Sequence, residues 1–393
     1  MRDTKFPAPH PCNDSLAADG SRRHWMSALA SLGGSLLAGG WASRAQASVQ
    51  DIHLGSSAAL SGPAALLGKR FHAGAQAAFA HINSHQGGIH GASIVLNVRD
   101  DAYEPERAEA NTRMLLDDPR VLALFGYVGT PTTMAVLPLV KRAAIPFVGA
   151  YTGASFLREP LQAQVFNIRA GYNEEGLALA RAMKDDGIQT VDLLYQADLF
   201  GRAGLESMRQ AAARSGLSLG TAAPHKRNSE DLDEAISKLL AHGQGEAIFM
   251  ISTYGSCAAA VKLARRKGYR GRFYALSFTG LEPLRQALGP AMKGVTLAQV
   301  VPDAENRHLP VVADYQQAMR AHGDRQFDAI SLEGYIAARV MAEGLRRAHL
   351  PLSRESVAQG LDAIGSLDLG GFRLQLGPQH RRGSEFVELR VGK

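Results

Sequence analysis

The sequence has few of the residues on which several classes of function depend. Only two of its 393 residues are cysteines, Cys12 and Cys257. Because Cys12 lies in a segment that we expect to be removed, one cysteine would remain, and a single cysteine cannot form an internal disulfide. Cys257 stands in a run of small residues typical of a helix, and we interpret it as a buried apolar side chain rather than a reactive thiol.

A large excess of charge and long apolar runs are also missing. The formal net charge is +6, and no run of Lys or Arg alternates with aromatic residues, so we expect no nucleic-acid partner. Beyond residue 47 there is no apolar run of about 18 residues, which a membrane-spanning helix would need, so we expect a soluble mature chain. Hydrophobic residues still make up 46% of the sequence, which is enough for two or more cores.

The common enzyme motifs are absent as well. The sequence contains no G-x-G-x-x-G, P-loop or H-E-x-x-H motif. Gly216–Gly220 fits G-x-S-x-G, but that motif needs a strand, a turn and a helix in this order, and here a helical pattern comes first. His81 and His85 could share a helix face, but without a third ligand in a fixed frame a solvated face is favoured over a metal site. We predict a protein that is not an enzyme and that holds no cofactor or metal ion.

The N-terminus has the features of an export signal. Arg22–Arg23 forms a twin-arginine start, a weakly apolar stretch follows over Trp25–Ala42, and Ser43–Ala47 contains an A-x-A cleavage pattern. We expect cleavage before Ser48, which makes residues 1–47 a signal peptide and places the mature chain in the periplasm. The twin-arginine route is favoured, and the Sec route is the alternative. An uncleaved anchor is a further alternative, but the stretch is short and glycine-rich for spanning about 30 Å of hydrocarbon.

From Asp51 onward, short apolar runs alternate with amphipathic stretches. The runs that predict strands are Ile52–Ala58, Ser93–Val98, Val121–Gly126, Pro146–Ala150, Val191–Tyr195, Ala247–Ile251, Phe273–Ser277 and Val295–Val300. The stretches that predict helices are Phe71–Ser84, Arg107–Leu116, Thr132–Ala144, Glu174–Lys184, Arg202–Arg214, Asp231–Ala241, Ser256–Lys267, Pro310–His322 and Ile330–Arg347. This alternation is typical of α/β proteins in which helices cover both faces of parallel sheets.

The strand–helix units fall into two sets. One set runs to about Ile168, and the other runs from about Gly171 to Lys293. A single sheet with so many strands would be unusually large, so we predict two lobes. In the tail, Gly370–Leu374 and Phe386–Val391 predict an antiparallel pair of strands.

Open parallel sheets bind ligands beyond the carboxyl ends of their strands, where helices begin. After the strand predicted at 121–126, Pro131 fits the first turn of a helix, and Thr130 precedes it as a cap-like residue. Free backbone N–H groups at such a helix start suit a carboxylate. The alternative is a plain cap, which stabilises a helix by about 1 kcal/mol.

Other strand ends carry small polar residues and aromatic residues. Ala150–Ala154 suits a backbone that approaches a ligand closely, and an ordinary turn is the alternative. Aromatic side chains in loops are more often exposed for function than those at helical spacing, which are usually core. In the second set of units, three strand ends on one side offer Phe200, Tyr254 and Ser277.

An ordered series of short segments resembles the family of leucine/isoleucine/valine-binding proteins. The series comprises Ser61–Pro63, Gly68, Ile82–Asn83, Gly87–Gly91, Asp100–Asp101, Phe125–Thr133, Ile145–Thr152, Gly201 and Ser331–Tyr335. The resemblance covers nearly all of residues 51–393. It implies a type I periplasmic-binding fold, in which three crossing segments join two Rossmann-like α/β lobes and a ligand lies in the cleft between them. It also implies an ABC permease and its ATPase as partners.

The resemblance also implies positions for the ligand site and the lobes. The resemblance places ligand-binding positions at Leu67, Thr130, Ala150 and Thr152 in the first lobe and at Phe200, Tyr254 and Ser277 in the second. Tyr151, the aromatic residue of the strand end at 150–154, completes the expected ligand-binding residues. We place lobe 1 at residues 48–168 and 298–368, and lobe 2 at residues 169–297 and 369–393. The expected hinges lie near Ile168–Tyr172, Leu297–Pro302 and Leu367–Phe372.

Several positions depart from the family pattern. Phe200 stands where many members have tyrosine, and Leu67 stands where they have a bulky aromatic residue. Tyr103 and Gly129 replace a cysteine pair. Family members have an acidic residue near the position of Ser277, and that residue pairs with the ligand's ammonium. Serine cannot supply this charge. We therefore hypothesise that the ligand is a small carboxylate that lacks an α-ammonium.

The sequence as a whole predicts a monomeric, periplasmic solute-binding component of an ABC-type importer. It would close two lobes around a small carboxylate or an amino-acid-like ligand. A periplasmic ligand-sensing module for an envelope receptor is an alternative on the same fold. An enzyme on a doubly wound fold is a second alternative, but we find no nucleophile–base pair at a strand end.

Overall fold

A computed structural model describes residues 50–242 and 245–392 of the chain. The predicted export signal and its cleavage site lie outside the described residues. Within the described ranges, no helix is long and apolar enough to cross a membrane.

Strands and helices alternate over most of the chain. The strands are β1 (Ile52–Ala58), β2 (Ile94–Asp100), β3 (Val121–Phe125), β4 (Phe147–Val148), β5 (Val165–Phe166), β6 (Thr190–Gln196), β7 (Ser218–His225), β8 (Ala247–Ile251), β9 (Arg272–Ala275), β10 (Val295–Gln299), β11 (Gly365–Asp368), β12 (Arg373–Gly377), β13 (His380–Gly383) and β14 (Glu388–Val391). The helices are α1 (Ala65–His85), α2 (Pro105–Leu116), α3 (Thr130–Arg142), α4 (Tyr172–Asp185), α5 (Leu199–Ser215), α6 (Asp233–His242), α7 (Tyr254–Arg266), α8 (Leu281–Leu288), α9 (Pro310–Ala321), α10 (Ala329–Arg347) and α11 (Arg354–Asp362).

Two parallel sheets share one strand order. The first sheet runs β2-β1-β3-β4-β5, and the second repeats this order as β7-β6-β8-β9-β10, with β14 added antiparallel beside β10. In each sheet the order reverses beside the first strand, between β1 and β3 and between β6 and β8. Ligands of such sheets bind at this switch point. The predicted fold of two Rossmann-like α/β lobes is confirmed.

Burial explains the sequences of the central strands. All five residues of β8, Ala-Ile-Phe-Met-Ile, are buried. Helices cover both faces of a parallel sheet, so its inner strands are continuous apolar runs rather than alternations. β7 lies at the edge of its sheet and is only partly buried. Pro224 is tolerated there because an edge strand has one side free of ladder hydrogen bonds.

The last strands differ from the prediction. The expected antiparallel pair in the tail is wrong, because β12 pairs with β11 and β13, whereas β14 pairs with β10. The edge beside β10 offers unpaired backbone groups, and β14 satisfies them. The short elements β5, α8, α11, β11 and β13 were not predicted from the sequence.

The chain passes from one sheet to the other between β5 and α4, between β10 and α9, and between β13 and β14. The first two passages lie at predicted hinges. The third lies after Gly383 rather than at 367–372, because β13 stays beside β5, where the Asn167 N–H donates to the Arg381 carbonyl (3.1 Å). The assignment of the remaining residues to the two lobes stays a prediction.

Two glycines allow α1 and α10 to cross closely. A Cβ on Gly74 of α1 would lie 1.7 Å from the Ser331 carbonyl oxygen of α10, and a Cβ on Gly334 would lie 1.8 Å from the Phe71 carbonyl oxygen. A backbone carbonyl cannot move aside as a side chain does, so a larger residue at either position would push the helices apart. These contacts fix α10, from late in the chain, on a helix of the first sheet.

We predict that Gly74→Ala lowers the free energy of unfolding by about 2–3 kcal/mol, because the added methyl group overpacks the α1–α10 contact. Urea denaturation followed by circular dichroism measures this change. Gln76→Ala on the exposed side of α1 is the matched control and should change stability by less than about 0.5 kcal/mol. Equal midpoints for Gly74→Ala and the unmodified chain would contradict the close crossing.

Candidate functional site

The carboxyl ends of the two sheets face each other, and three buried hydroxyls meet there. Thr130 begins α3 after β3, Thr152 follows β4, and Tyr172 begins α4. The Thr130 and Thr152 hydroxyl oxygens are 2.7 Å apart, and the Tyr172 hydroxyl lies 3.1 Å from that of Thr152. All three side chains are buried. Because a hydroxyl can both donate and accept, this group can turn toward a polar atom of a solute.

Thr130 does not cap its helix, contrary to the prediction. Gly129 occupies the cap position with a φ of 108°, and Pro131 lies in the first turn as predicted. The Thr130 side chain makes no cap hydrogen bond to the backbone and bonds across to Thr152 instead. The alternative of a plain cap is therefore excluded.

Aromatic rings from both sheets gather around Phe278, in the turn after β9. Its ring centroid lies 4.6 Å from that of Phe200 and 5.6 Å from that of Tyr151. Tyr103, which follows β2, lies 6.0 Å from it. The structure thus brings two predicted site residues together around a ring that sequence reasoning passed over.

Leu67, Tyr254 and Ala150 occupy different surroundings. Leu67 of α1 is fully buried and reaches across to Gly280, where a Cβ would lie 2.7 Å from Leu67 Cδ2. Tyr254 begins α7 and is half-buried, and its hydroxyl interacts with the Leu66 backbone, next to Leu67. Ala150 packs into a separate apolar cluster of the first sheet.

Charged side chains hold Ser277. Glu175 accepts hydrogen bonds from the Ser277 N–H (2.7 Å) and from the Ser277 hydroxyl (3.0 Å). Arg169 donates from Nη2 to Glu175 Oε1 (3.1 Å) and also to the Ser277 hydroxyl. Its guanidinium lies 4.9 Å from the centre of the Tyr151 ring. A carboxylate therefore does lie beside Ser277, although serine itself cannot supply one, and it is that of Glu175 on α4.

A second carboxylate, that of Glu333 on α10, lies beside Arg169. Glu333 Oε1 is 3.4 Å from Arg169 Nη1, and the described residues donate no hydrogen bond to it. Burial raises the pKa of Glu333 to about 7, because desolvation outweighs the attraction of Arg169. Glu175 shares the same guanidinium, and burial raises its pKa as well.

Sequence reasoning missed Arg169, Tyr172, Glu175, Phe278 and Glu333 as members of this site. Arg169 and Tyr172 lie in a segment predicted as a hinge, and Phe278 lies beside the predicted site residue Ser277. These positions could have indicated that the three residues belong to the site. Glu175 and Glu333 lie inside helices, and no spacing links them to the strand ends. Only the packing of α4 and α10 brings them there.

The structure also shows the surroundings of three other sequence features. Ser218 starts β7 directly after α5, so the G-x-S-x-G match is not a strand–turn–helix turn. Cys257 is buried, and burial raises its pKa to about 12, which keeps the thiol protonated. The rings of His81 and His85 stack with centroids 4.5 Å apart. The part of the chain that the structure describes holds no group of three side chains that could bind a metal ion.

The chain matches a described family over most of its length. A family profile described as "Periplasmic binding protein" matches residues 51–387. The Leu/Ile/Val-binding protein homolog 7 of Brucella suis biovar 1 (strain 1330) is 23% identical over 355 residues, which cover 85% of this chain and 88% of that protein.

Solved structures share the fold. A possible leucine/isoleucine/valine-binding protein from Rhodopirellula baltica SH 1 is 34% identical, with a TM-score of 0.82 and coverage of 87% of this chain and 94% of that one. A substrate-binding periplasmic protein from Ralstonia solanacearum is 31% identical, with a TM-score of 0.81 and coverage of 87% and 97%. A branched chain amino acid ABC transporter protein from Thermus thermophilus, solved with bound valine, is 21% identical over 88% of this chain and 93% of that one, with a TM-score of 0.78, and supports the fold alone. The predicted type I periplasmic-binding fold is confirmed.

We predict that stability depends on pH through Glu333. Its pKa rises from the ordinary 4.5 to about 7 on folding, so the folded chain holds a proton that the unfolded chain releases. The resulting stabilisation is complete below about pH 4.5 and is lost as the pH rises through about 7. Glu333→Gln stays neutral, so the free energy of unfolding of the unmodified chain, relative to this variant, should fall by roughly 2 kcal/mol between about pH 5 and pH 8.

Urea denaturation of both proteins across this pH range tests the prediction. Glu343→Gln is the matched control, because Glu343 lies on the same helix in surface ion pairs with Arg346 and Arg347. A difference between the unmodified chain and Glu333→Gln that does not change with pH would contradict the assignment.

Proposed function

Because the chain belongs to the family of periplasmic binding proteins, we propose that it is the solute-binding component of an ABC-type importer. It is exported to the periplasm, loses residues 1–47 by cleavage near Ala47, and works as a monomer. The solute is a small carboxylate or an amino-acid-like molecule. A membrane permease and its ATPase receive the solute from the closed protein.

The group of hydroxyls and rings between the sheets is the observation that carries this proposal. Thr130, Thr152 and Tyr172 place three hydroxyls within hydrogen-bonding distance of one another. The rings of Tyr151 and Phe200 lie next to that of Phe278. Most small-molecule sites combine an apolar lining with a few convergent polar groups in this way.

Hinge closure accounts for how the solute is held. Side chains of the two sheets meet only when the sheets approach, as Tyr151 and Phe278 do. A solute stabilises the closed state to the extent that it gains contacts there which the open state cannot give. The passages at 167–171 and 300–309 are the segments that would bend.

The polar groups at the site suit both a simple carboxylate and an amino-acid-like solute. The three hydroxyls of Thr130, Thr152 and Tyr172 suit a carboxylate, because each O–H can donate a hydrogen bond to it. Glu333 makes no hydrogen bond within the described residues and could accept one from an ammonium. The Thermus thermophilus structure was solved with valine, so an amino-acid-like solute is included among the solutes to be tested.

We predict that mass spectrometry of the protein purified from its periplasm will find a co-purifying solute with a carboxylate. Titration calorimetry against L-leucine and benzoate then separates the two kinds of solute. Tight L-leucine binding would reject the hypothesis that the ligand lacks an α-ammonium. Failure of every carboxylate to bind would contradict the proposed function.

We further predict that Thr130→Val weakens solute binding by roughly tenfold, because it removes one hydroxyl from the buried group. Calorimetry with the solute that binds the unmodified chain measures the effect. Thr133→Val is the matched control, since the Thr133 hydroxyl bonds to the Gly129 carbonyl within the same helix start. Equal losses in the two variants would indicate a structural effect and not a role in binding.

A further inference from the structure

Tyr103 has a backbone conformation that its residue type rarely adopts. Ala102 and Tyr103 have φ values of 52° and 65°, in the left-handed region that favours glycine. Two carboxylates hold this turn: Asp100 accepts from the Ala102 N–H (2.9 Å), and Asp101 accepts from the Tyr103 N–H (2.8 Å). Such strain persists only where the surroundings impose it, and it concentrates at functional sites.

The turn directs the Tyr103 ring away from its own sheet and into the gap between the sheets. The ring is fully buried. On the first-sheet side it lies over Gly129, where a Cβ would be 2.3 Å from Tyr103 Cε2. On the second-sheet side its centroid lies 6.0 Å from that of Phe278. Tyr103 and Gly129 are thus neighbours, and the space that glycine leaves is filled by the tyrosine ring.

Arg227, which follows β7 in the second sheet, holds Tyr103 from the opposite side. Its Nη1 donates to the Tyr103 carbonyl oxygen (2.6 Å), and its Nη2 donates to the Glu104 carboxylate. The guanidinium carbon lies 5.7 Å from the centre of the Tyr103 ring. The next residue, Asn228, donates to the other Glu104 oxygen (3.2 Å). Two consecutive residues after β7 therefore bind two consecutive residues after β2.

We propose that Arg227 and Glu104 form a clasp that positions Tyr103 against Phe278 and so sets the lifetime of the closed state. Arg227 is a positioning residue, because it acts on the cleft through Tyr103. Its contacts cross from one sheet to the other, whereas those of Arg169 run through the passage that joins the sheets. Opening the cleft must break the clasp, and its charged partners make this step dependent on salt. The clasp deepens the proposed function, but its effect on closure does not require any solute.

Single-molecule energy transfer tests the clasp directly. In the chain from Ser48 onward, which lacks Cys12, Ala110→Cys and Glu234→Cys place one dye on α2 and one on α6, both at exposed positions. Cys257 is buried and stays unlabelled. We expect Arg227→Gln to shorten the dwell time of the closed state by roughly tenfold at low salt. Added salt should shorten the dwell time of the unmodified chain and should have less effect on the variant.

Two further variants keep the test decisive. Glu104→Gln removes the charge pair but leaves the bond from Arg227 to the Tyr103 carbonyl, so it should give an intermediate dwell time. Arg120→Gln breaks an ion pair with Asp118 in the turn before β3 and should leave the dwell time unchanged. An unchanged dwell time in Arg227→Gln, or the same shortening in Arg120→Gln, would overturn the clasp.

Solute binding then separates this inference from the proposed function. With L-leucine or benzoate, whichever binds, Arg227→Gln should raise the dissociation rate by about the factor found for the dwell time and leave the association rate within about twofold. A variant that changes only the association rate would refute a clasp. If neither L-leucine nor benzoate binds the unmodified chain, this result contradicts the proposed ligand class. The dwell times still test whether the clasp holds the closed state.

Discussion

A guanidinium buried between the two sheets is the constraint on which the site depends. Arg169 is 1% exposed, and the removal of such a charge from water costs several kcal/mol unless partners repay it. The carboxyl groups of Glu175 and Glu333 lie beside it and come from two different helices. Ser277 bonds to both Arg169 and Glu175. The turn after β9 is therefore tied to the passage at 167–171, and neither can move without the other.

This arrangement distinguishes two kinds of contact between the sheets. The bonds of Arg169 lie at the passage where the chain crosses, so in the proposed hinge closure they can persist while the cleft opens and closes. The bonds of Arg227 to Tyr103 and Glu104 join segments that no nearby stretch of chain connects. In the proposed closure, the first kind of contact would fix the axis of motion and the second would determine how long the closed state lasts.

Much of the fold could be predicted because burial determines the sequences of the parallel strands. β8 is a continuous apolar run, and its bounds were predicted to the residue. That Thr130, Tyr151, Thr152 and Phe200 lie at the facing ends of the sheets could be predicted because the ends of parallel strands share one edge. Glu333 could not, because its role depends on how α10 packs beside a distant arginine. The left-handed turn at Tyr103 was equally hidden, since nothing in the local sequence requires a positive φ there.

The tail shows a different limit. Turn residues in the sequence marked where strands would end but carried no information about which edge each strand would join. β14 joins the second sheet, while β12 and β13 stay with the first sheet's side of the molecule. Which strands pair depends on unpaired backbone N–H and C=O groups on distant edge strands, and local composition cannot predict where these groups lie.

The crossing of α1 and α10 has a consequence for biosynthesis. Gly74 meets Ser331 at that crossing, so a helix from near the beginning of the described residues packs against one from late in the chain. Phe71 and Phe79 of α1 also contact Phe125 of β3, but the part of α1 that packs on α10 has no native partner until most of the polypeptide has left the ribosome. The amino-terminal half would emerge with an unfinished core, and its completion waits for the carboxyl-terminal helices.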